Sequence, residues 1–247
     1  MTQHNTPDIT NIANRENTPN IQQDTWKQMA GTAAAKLIEN GMLVGLGTGS
    51  TSGFLIYALA QRINTGLQIR GAVSSSQASQ DLAANLGIPV TNLNTNPQLD
   101  IYIDGADEVD AQLNLVKGAG GALLREKVLA SASRRFIVIA DITKRVIRLG
   151  THAPVPVEVV PFALTPVQRH LEALGASVVQ RQVSGNIFVS ENNNYILDCI
   201  FPNGISDPFG LDEQMHKIVG VVETGLFLSM ADQAFIGGPD GVTVLPE

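Results

Sequence analysis

Short apolar runs typical of strands alternate with segments of helical periodicity between residues 25 and 150. The strand-like runs are Met42–Leu46, Leu67–Val73, Ile88–Leu93, Leu99–Ile103 and Arg135–Ala140. This alternation predicts an α/β fold with a doubly wound (Rossmann-like), mostly parallel sheet. The carboxyl ends of parallel strands meet at one edge of such a sheet, and ligands bind there.

The rest of the chain divides into three parts. Residues 1–24 are polar and lack the apolar core of a signal peptide, so they predict a flexible tail that ends at a capping box over Thr25–Gln28. Residues 151–228 follow the order strand, helix, strand, strand, helix, strand, which is typical of a ferredoxin-like α+β domain. Two strand-like runs in residues 229–247 are expected to return to the first sheet. We therefore predict a Rossmann-like catalytic domain of residues 25–150 plus 229–247, with a ferredoxin-like domain inserted.

Composition argues against several classes of protein. A net charge of −7 is unsuited to a general nucleic-acid binder, and no apolar run approaches the ~20 residues that a membrane helix needs. The single cysteine, Cys199, fits a reducing compartment, and its apolar surroundings predict a buried structural thiol. We expect a cytoplasmic protein that binds neither nucleic acid nor membrane. Residues 117–148 hold eight of the sixteen lysines and arginines but only two acids, which suits a small anionic ligand.

A glycine-rich turn, Gly47–Gly53, lies between the first strand-like run and a helix predicted from Phe54 to about Ile63. Small residues at such a junction let backbone N–H groups approach phosphate oxygens. The turn is not a P-loop, because no lysine follows it before Lys117, and it lacks the acidic residue that dinucleotide folds place about 20 residues on. It indicates a monophosphate site, with a purely structural turn as the alternative.

A second motif, Asp104–Glu108, follows the strand-like run Leu99–Ile103, and Lys117 and the cluster Gly118–Gly121 come next, ahead of a helix. Three carboxylates and a lysine beside a helix N-terminus suit acid–base chemistry on a phosphorylated substrate. A solvated acidic turn is the simpler interpretation. A third is a Mg²⁺ site for a metal-dependent isomerase or phosphatase, formed by the acids of residues 104–110, although no histidine lies nearby.

Taken together, the motifs of this chain resemble the A-type ribose-5-phosphate isomerase family. The likeness covers nearly everything from Thr25 to Val244. Its motifs occur in order and are Gly45–Thr51, Ser74–Ser76, Asp104–Glu108, Lys117–Ala122, Arg125–Lys127, Val155–Val159 and Gly238–Val242. The resemblance implies interconversion of D-ribose 5-phosphate and D-ribulose 5-phosphate through an enediolate, in the non-oxidative pentose phosphate pathway. It also implies no metal and no organic cofactor, and a homodimer or homotetramer.

The resemblance also implies roles for individual residues. Glu126 corresponds to the proton-transferring base, Asp104 and Asp107 to the pair that handles the sugar hydroxyls and ring opening, and Lys117 to the active-site lysine. The implied substrate-binding residues are Thr48, Gly49, Ser50, Thr51, Asp104, Gly105, Ala106, Asp107, Lys117, Gly118, Ala119, Gly120 and Lys144. Ala119 departs from an all-glycine cluster.

Two questions stay open at this point. Glu126 lies between Arg125 and Lys127, so it also fits an exposed charged stripe, and the sequence does not tell whether burial or nearby cations dominate its ionisation. Related folds also serve as sugar-phosphate-sensing domains of transcription regulators. Such a regulator would carry a basic DNA-binding module, and the residues before Thr25 are too few and too polar for one.

Overall fold

The computed structural model describes residues 21–246. Its helices are α1 Ile21–Ala35, α2 Ser50–Asn64, α3 Gln77–Asn85, α4 Leu123–Ser131, α5 Leu164–Ala173 and α6 Pro208–His216. Its strands are β1 Leu43–Leu46, β2 Gly71–Ser74, β3 Ile101–Gly105, β4 Glu108–Val109, β5 Leu115–Val116, β6 Phe136–Asp141, β7 Val155–Val159, β8 Ser177–Gln180, β9 Gln182–Val183, β10 Asn186–Ile187, β11 Tyr195–Ile200, β12 Val221–Thr224, β13 Leu226–Phe227, β14 Gln233–Gly238 and β15 Gly241–Leu245.

A six-stranded sheet in the order β15-β14-β6-β3-β1-β2 forms the centre of the larger domain. All neighbours in it pair in parallel except β15, which is antiparallel to β14. Alternate residues of each strand face opposite sides. In β3, for example, Ile101 and Ile103 pack with α1, α2 and α3, whereas Tyr102 packs on the face that α4 covers. The predicted doubly wound, mostly parallel sheet is therefore confirmed.

The chain leaves this sheet after Asp141, returns to it at Gln233, and forms a second sheet between them in the order β12-β7-β11-β8. All of its neighbours are antiparallel, and numbering the four strands along the chain gives the order 4-1-3-2 of a ferredoxin-like fold. Residues of β7 and β11 pack on one face with α5 and α6. The other face meets α4, so this helix lies between the two sheets. The residue limits of the two domains stay a prediction.

The predicted capping box at Thr25 and the predicted strand Ile88–Leu93 are wrong. Helix α1 covers Ile21–Ala35, so residues 21–24 are helical and Thr25 is no capping residue: its hydroxyl donates to Ile21 O at 2.8 Å inside the helix. Asp24 in the first turn favours the earlier start, since an acid interacts well with the free N–H groups there. The run Ile88–Leu93 forms only a bridge between Val90 and Ala72. Residues 1–20 of the predicted tail lie outside the described part.

Candidate active site

A cavity of about 190 Å³ opens at the carboxyl edge of the large sheet. The segments that follow β1, β3 and β6 meet there, together with α1 and the start of α4. Its lining residues are Lys27, Thr48, Gly49, Ser50, Thr51, Gly105, Ala106, Asp107, Lys117, Gly118, Ala119, Glu126 and Lys144. Most of the residues predicted from the two motifs are thus brought together around one polar cavity.

One end of the cavity combines a helix N-terminus with a nearby lysine. Helix α2 begins at Ser50 rather than at the predicted Phe54, and Gly49 adopts φ 100°, a conformation that favours glycine. The earlier start places the free N–H groups of the first helical turn, and the hydroxyls of Ser50 and Thr51, at the cavity. Lys144 is carried by a short 3-10 turn, which the carboxylate of Asp141 caps by accepting from Thr143 N at 3.0 Å.

Lys27 is the lining residue that sequence reasoning missed. It lies on α1, whose backbone passes so close to β14 that a Cβ on Gly237 would lie 2.0 Å from the Trp26 carbonyl oxygen. This close approach brings the Lys27 side chain to the cavity. The only local signal was its spacing from Asp24, with which it forms an ion pair at 3.3 Å. That spacing is typical of any exposed helix and does not predict a ligand-binding role.

At the other end, on the wall of the cavity and directly beneath it, lie three ionisable groups that are almost fully buried. Lys117 Nζ lies 2.8 Å from Asp104 Oδ2 and 3.3 Å from Glu126 Oε2, and it also donates to Gly105 O at 2.6 Å. Exposed fractions are 0% for Asp104 and 3% each for Lys117 and Glu126. Burial alone would lower the pKa of the Lys117 ammonium, but the charges of Asp104 and Glu126 outweigh it and hold the pKa above its ordinary value. Lys117 therefore stays a cation.

Asp104 lies beneath the cavity rather than on its wall. Its Oδ1 accepts hydrogen bonds from Thr48 N at 3.0 Å and Ser52 Oγ at 2.9 Å, and its Oδ2 accepts from Lys117 and from the Tyr102 hydroxyl. Room for this carboxylate depends on Gly47, where a Cβ would lie 1.8 Å from Oδ1. Asp104 thus fixes Lys117 and the glycine-rich turn relative to each other.

Glu126 lies in the first turn of α4, and its carboxyl group points into the cavity. Burial raises its pKa, the Lys117 ammonium lowers it in part, and the charges of Asp104 and Asp107 raise it further, to about 8. Apart from the nearby Lys117 ammonium, Oε2 has no hydrogen-bond partner among the described residues. The alternative of an exposed charged stripe is therefore wrong, and the group combines poor solvation with access to a ligand.

The neighbours of Glu126 point away from it. Lys127 Nζ donates to the carbonyl oxygens of Thr224 and Leu226, at 2.8 Å each, and thereby fastens α4 to the smaller domain. Arg125 Nε donates to Asn192 Oδ1 at 3.0 Å, in the loop before β11. Helix α4 is thus held on both sides of Glu126.

Asp107 and the loop Gly118–Gly121 form the wall beside Glu126. Asp107 Oδ2 accepts a hydrogen bond from Ala119 N at 2.9 Å. Gly118 and Gly121 have φ values of 105° and 81°, which explains why glycine occupies these two positions. Gly120 is absent from the cavity lining but lies beside it, since a Cβ there would be 3.6 Å from Thr48 Cγ2.

The acids of residues 104–110 do not converge on one point. Glu108 Oε2 accepts from Gly150 N at 2.6 Å, and its Oε1 accepts from Ala153 N at 2.9 Å. Asp110 Oδ1 accepts from the backbone of Gln112 and Asn114. Among residues 21–246 no three His, Cys, Asp or Glu side chains are grouped so that they can hold a metal ion. The acids of the motif are therefore held separately, in hydrogen bonds to different parts of the chain.

Comparison with known proteins shows the family. The family model of ribose 5-phosphate isomerase A (phosphoriboisomerase A) matches residues 71–241. This chain belongs to that family. Ribose-5-phosphate isomerase A of Synechococcus sp. (strain JA-3-3Ab) is 48% identical over 225 residues, which is 90% of this chain and 97% of that relative. The resemblance drawn from the motifs is confirmed.

Solved structures of ribose-5-phosphate isomerases superpose closely on this chain. That of the Neisseria gonorrhoeae ribose 5-phosphate isomerase A has 40% identity and a TM-score of 0.83, and covers 90% of this chain and 96% of its own. A D-ribose-5-phosphate isomerase in complex with phospho-erythronic acid has 36% identity and a TM-score of 0.87, covering 90% and 98%. These relatives are enzymes, and the alternative of a sensing domain finds no support. No helix in the described range of the chain is long and apolar enough to cross a membrane.

Proposed function

We propose that this chain interconverts D-ribose 5-phosphate and D-ribulose 5-phosphate by moving a proton between C2 and C1 of the open-chain sugar, as its family membership implies. The observation that carries the proposal is the position of Glu126. Its carboxyl group is buried and points into the cavity, with Lys117 Nζ 3.3 Å away. A base that is poorly solvated and lies beside a fixed cation suits abstraction of a carbon-bound proton.

The phosphate group occupies the end of the cavity at the start of α2 in this proposal. Free N–H groups of the helix N-terminus, two hydroxyls and two ammonium groups, those of Lys27 and Lys144, are available there. Binding at this end places the reacting carbons at the other, beside Glu126. The phosphate thus contributes binding energy far from the reacting carbons and orients them.

In the forward reaction, the Glu126 carboxylate takes the proton of C2, and the electron pair of that C–H bond becomes the C1–C2 double bond. Negative charge develops on O1, where the Lys117 ammonium stabilises it. The proton of the O2 hydroxyl then passes to O1, and Glu126 returns its proton to C1. We assign the sugar hydroxyls and ring opening to Asp107, which lines the cavity, whereas Asp104 acts through Lys117.

The ligand of one relative agrees with this arrangement. A ribose-5-phosphate isomerase structure contains phospho-erythronic acid, which carries a phosphate and a carboxylate. The carboxylate of this compound is planar and spreads its negative charge over two neighbouring oxygens. In this respect it resembles an enediolate. We propose that this chain binds the same compound, with the carboxylate at Lys117 and the phosphate at the start of α2.

The direct test is to incubate the purified chain with ribose 5-phosphate in EDTA and to follow ribulose 5-phosphate. We expect conversion in EDTA, and activity that required an added divalent ion would overturn the cofactor-free mechanism. Free ribose should be a very poor substrate. The homodimer or homotetramer and the cytoplasmic location stay proposals, and sedimentation of the purified chain tests the first of them.

A further inference from the structure

An arginine of the smaller domain reaches the wall of the cavity. Arg181, directly after β8, donates from Nη1 to Gly118 O at 2.7 Å and to Ala119 O at 3.0 Å. Its other side is held by Asp198 on β11, with Nε 2.9 Å from Oδ2 and a second bond from Nη2 to Oδ1. Only 11% of the Arg181 side chain is exposed. The guanidinium is therefore fixed between the small sheet and the loop Gly118–Gly121.

These bonds determine how the peptide groups of the loop are oriented. In a trans peptide the C=O and the N–H point in opposite directions. Because Gly118 O faces Arg181, the N–H of Ala119 faces Asp107, whose Oδ2 it reaches at 2.9 Å. Because Ala119 O also faces Arg181, the N–H of Gly120 points away from it. This N–H has no hydrogen-bond partner among residues 21–246.

We propose that Arg181 is a positioning residue for the isomerisation: it holds the Gly118–Gly120 peptides so that the free Gly120 N–H, together with Lys117, receives the oxygen on which charge develops. This inference rests on the proposed role of Glu126 and of the loop beside it. A cation at the carbonyl ends also polarises both peptides, which strengthens their N–H groups as donors.

The aromatic ring of Phe188 packs against both Arg181 and the loop Gly118–Gly121. The Arg181 guanidinium carbon lies 5.9 Å from the ring centroid, within the range of a cation–π interaction. The ring also covers Gly121, where a Cβ would lie 2.3 Å from a ring carbon. The loop is thus bounded by Arg181, Phe188 and Asp107, and its backbone has little freedom to turn a peptide over.

The test compares Arg181→Met and Arg181→Lys with a control, Arg169→Met, at an exposed position on α5. The measurements are kcat and KM for ribose 5-phosphate, and inhibition constants for phospho-erythronate and for inorganic phosphate. We expect Arg181→Met to lower kcat about 10- to 100-fold, which is no more than the decrease in kcat when one direct hydrogen-bond donor is removed. KM should stay within about threefold of the wild-type value. Phospho-erythronate should bind at least about tenfold more weakly, and inorganic phosphate unchanged. Arg181→Lys should recover part of kcat, because an ammonium can donate to the same carbonyls.

A purely structural role predicts a different pattern. General distortion of the cavity weakens phospho-erythronate and inorganic phosphate alike, and that result overturns the proposal, as does a kcat within twofold of wild type. Arg181→Met leaves the Asp198 carboxylate without its partner, so the double variant Arg181→Met/Asp198→Asn serves as a second test. If neither variant folds, Arg181 contributes to stability alone and the proposal is overturned. Failure of the proposed function is distinguishable, because wild type itself would then not isomerise ribose 5-phosphate.

Discussion

The Nζ atom of Lys117 lies 3.3 Å from Oε2 of Glu126, and both residues are only 3% exposed. The pair is nevertheless unequal. Lys117 has the buried Asp104 carboxylate as a second partner at 2.8 Å, whereas the charge of Glu126 is disfavoured first by burial and then by two other acids, Asp104 and Asp107. The result is a permanent cation beside a carboxyl group whose pKa is raised to about 8, so that it can both take up and release a proton near neutral pH. The first three predictions follow from this inequality.

Glu126→Gln should remove the base and leave the rest of the site in place. We expect kcat to fall by about 10²-fold or more, while phospho-erythronate still binds. In D₂O, wild type should incorporate solvent deuterium into the sugar and the variant should not. Glu213→Gln, at a side chain that is 69% exposed, is the control and should behave as wild type. Normal turnover in Glu126→Gln would show that Glu126 is not the base, and the role would then be assigned to Asp107.

The pH dependence of kcat/KM should report the ionisation of Glu126 in the free enzyme. Because its pKa is raised to about 8, kcat/KM should increase as pH rises towards 8 and level off above it. Measurements from pH 7 to pH 9.5 avoid the second ionisation of the sugar phosphate, which lies near ~6. A profile that is flat over this range would show that the base ionises with an ordinary pKa.

The same shift predicts how stability depends on pH. A carboxyl group whose folded-state pKa of about 8 exceeds the ordinary 4.5 stabilises the fold fully below 4.5, and this contribution is lost as pH rises through 8. A glutamine at this position does not titrate. The Tm of Glu126→Gln relative to wild type should therefore increase between pH 5 and pH 9 in thermal unfolding. A relative Tm that falls with pH would mean that Lys117 outweighs burial.

Lys27→Ala and Lys144→Ala should weaken recognition of the phosphate. Each removes a cation that we assign to the phosphate, so KM for ribose 5-phosphate should rise about tenfold, with kcat within about threefold. Lys36→Ala, at an exposed position just beyond α1, is the matched control for Lys27. Any slow turnover of free ribose should be the same in all variants. A fall in kcat with an unchanged KM would place these lysines in the chemical step instead.

Gly47→Ala and Gly53→Ala add the same methyl group in different surroundings. At Gly47 it overlaps Asp104 Oδ1, and at Gly53, inside α2, it meets nothing within 4 Å. Gly47→Ala should lower the free energy of unfolding by about 1–3 kcal/mol and kcat by about tenfold or more, because Asp104 no longer holds Lys117. Gly53→Ala should keep full activity and gain up to about 1 kcal/mol from helix propensity. Equal behaviour of the two variants in denaturant unfolding and in turnover would contradict this account.

Features set by short stretches of chain could be predicted from the sequence. Apolar runs predicted the parallel sheet, the glycines predicted the turn after β1 although not its end, and the motifs around Asp104 and Glu126 pointed to the family. The errors lie where local signals compete. Phe54 begins the apolar pattern of α2, but Ser50 begins its backbone hydrogen bonding. The run Ile88–Leu93 has the apolar character of a strand, yet Pro89 has no N–H to donate.

Only the tertiary structure decided the depth and partners of the side chains at the site. Asp104 lies beneath the cavity because Gly47 leaves room for it, and Lys27 reaches the cavity because α1 passes close to Gly237. Arg181 is 63 residues from the Gly118 carbonyl that it binds. Helix periodicity and turns are encoded within a few residues, whereas burial, and with it the pKa of Glu126, depends on which distant elements pack around a group.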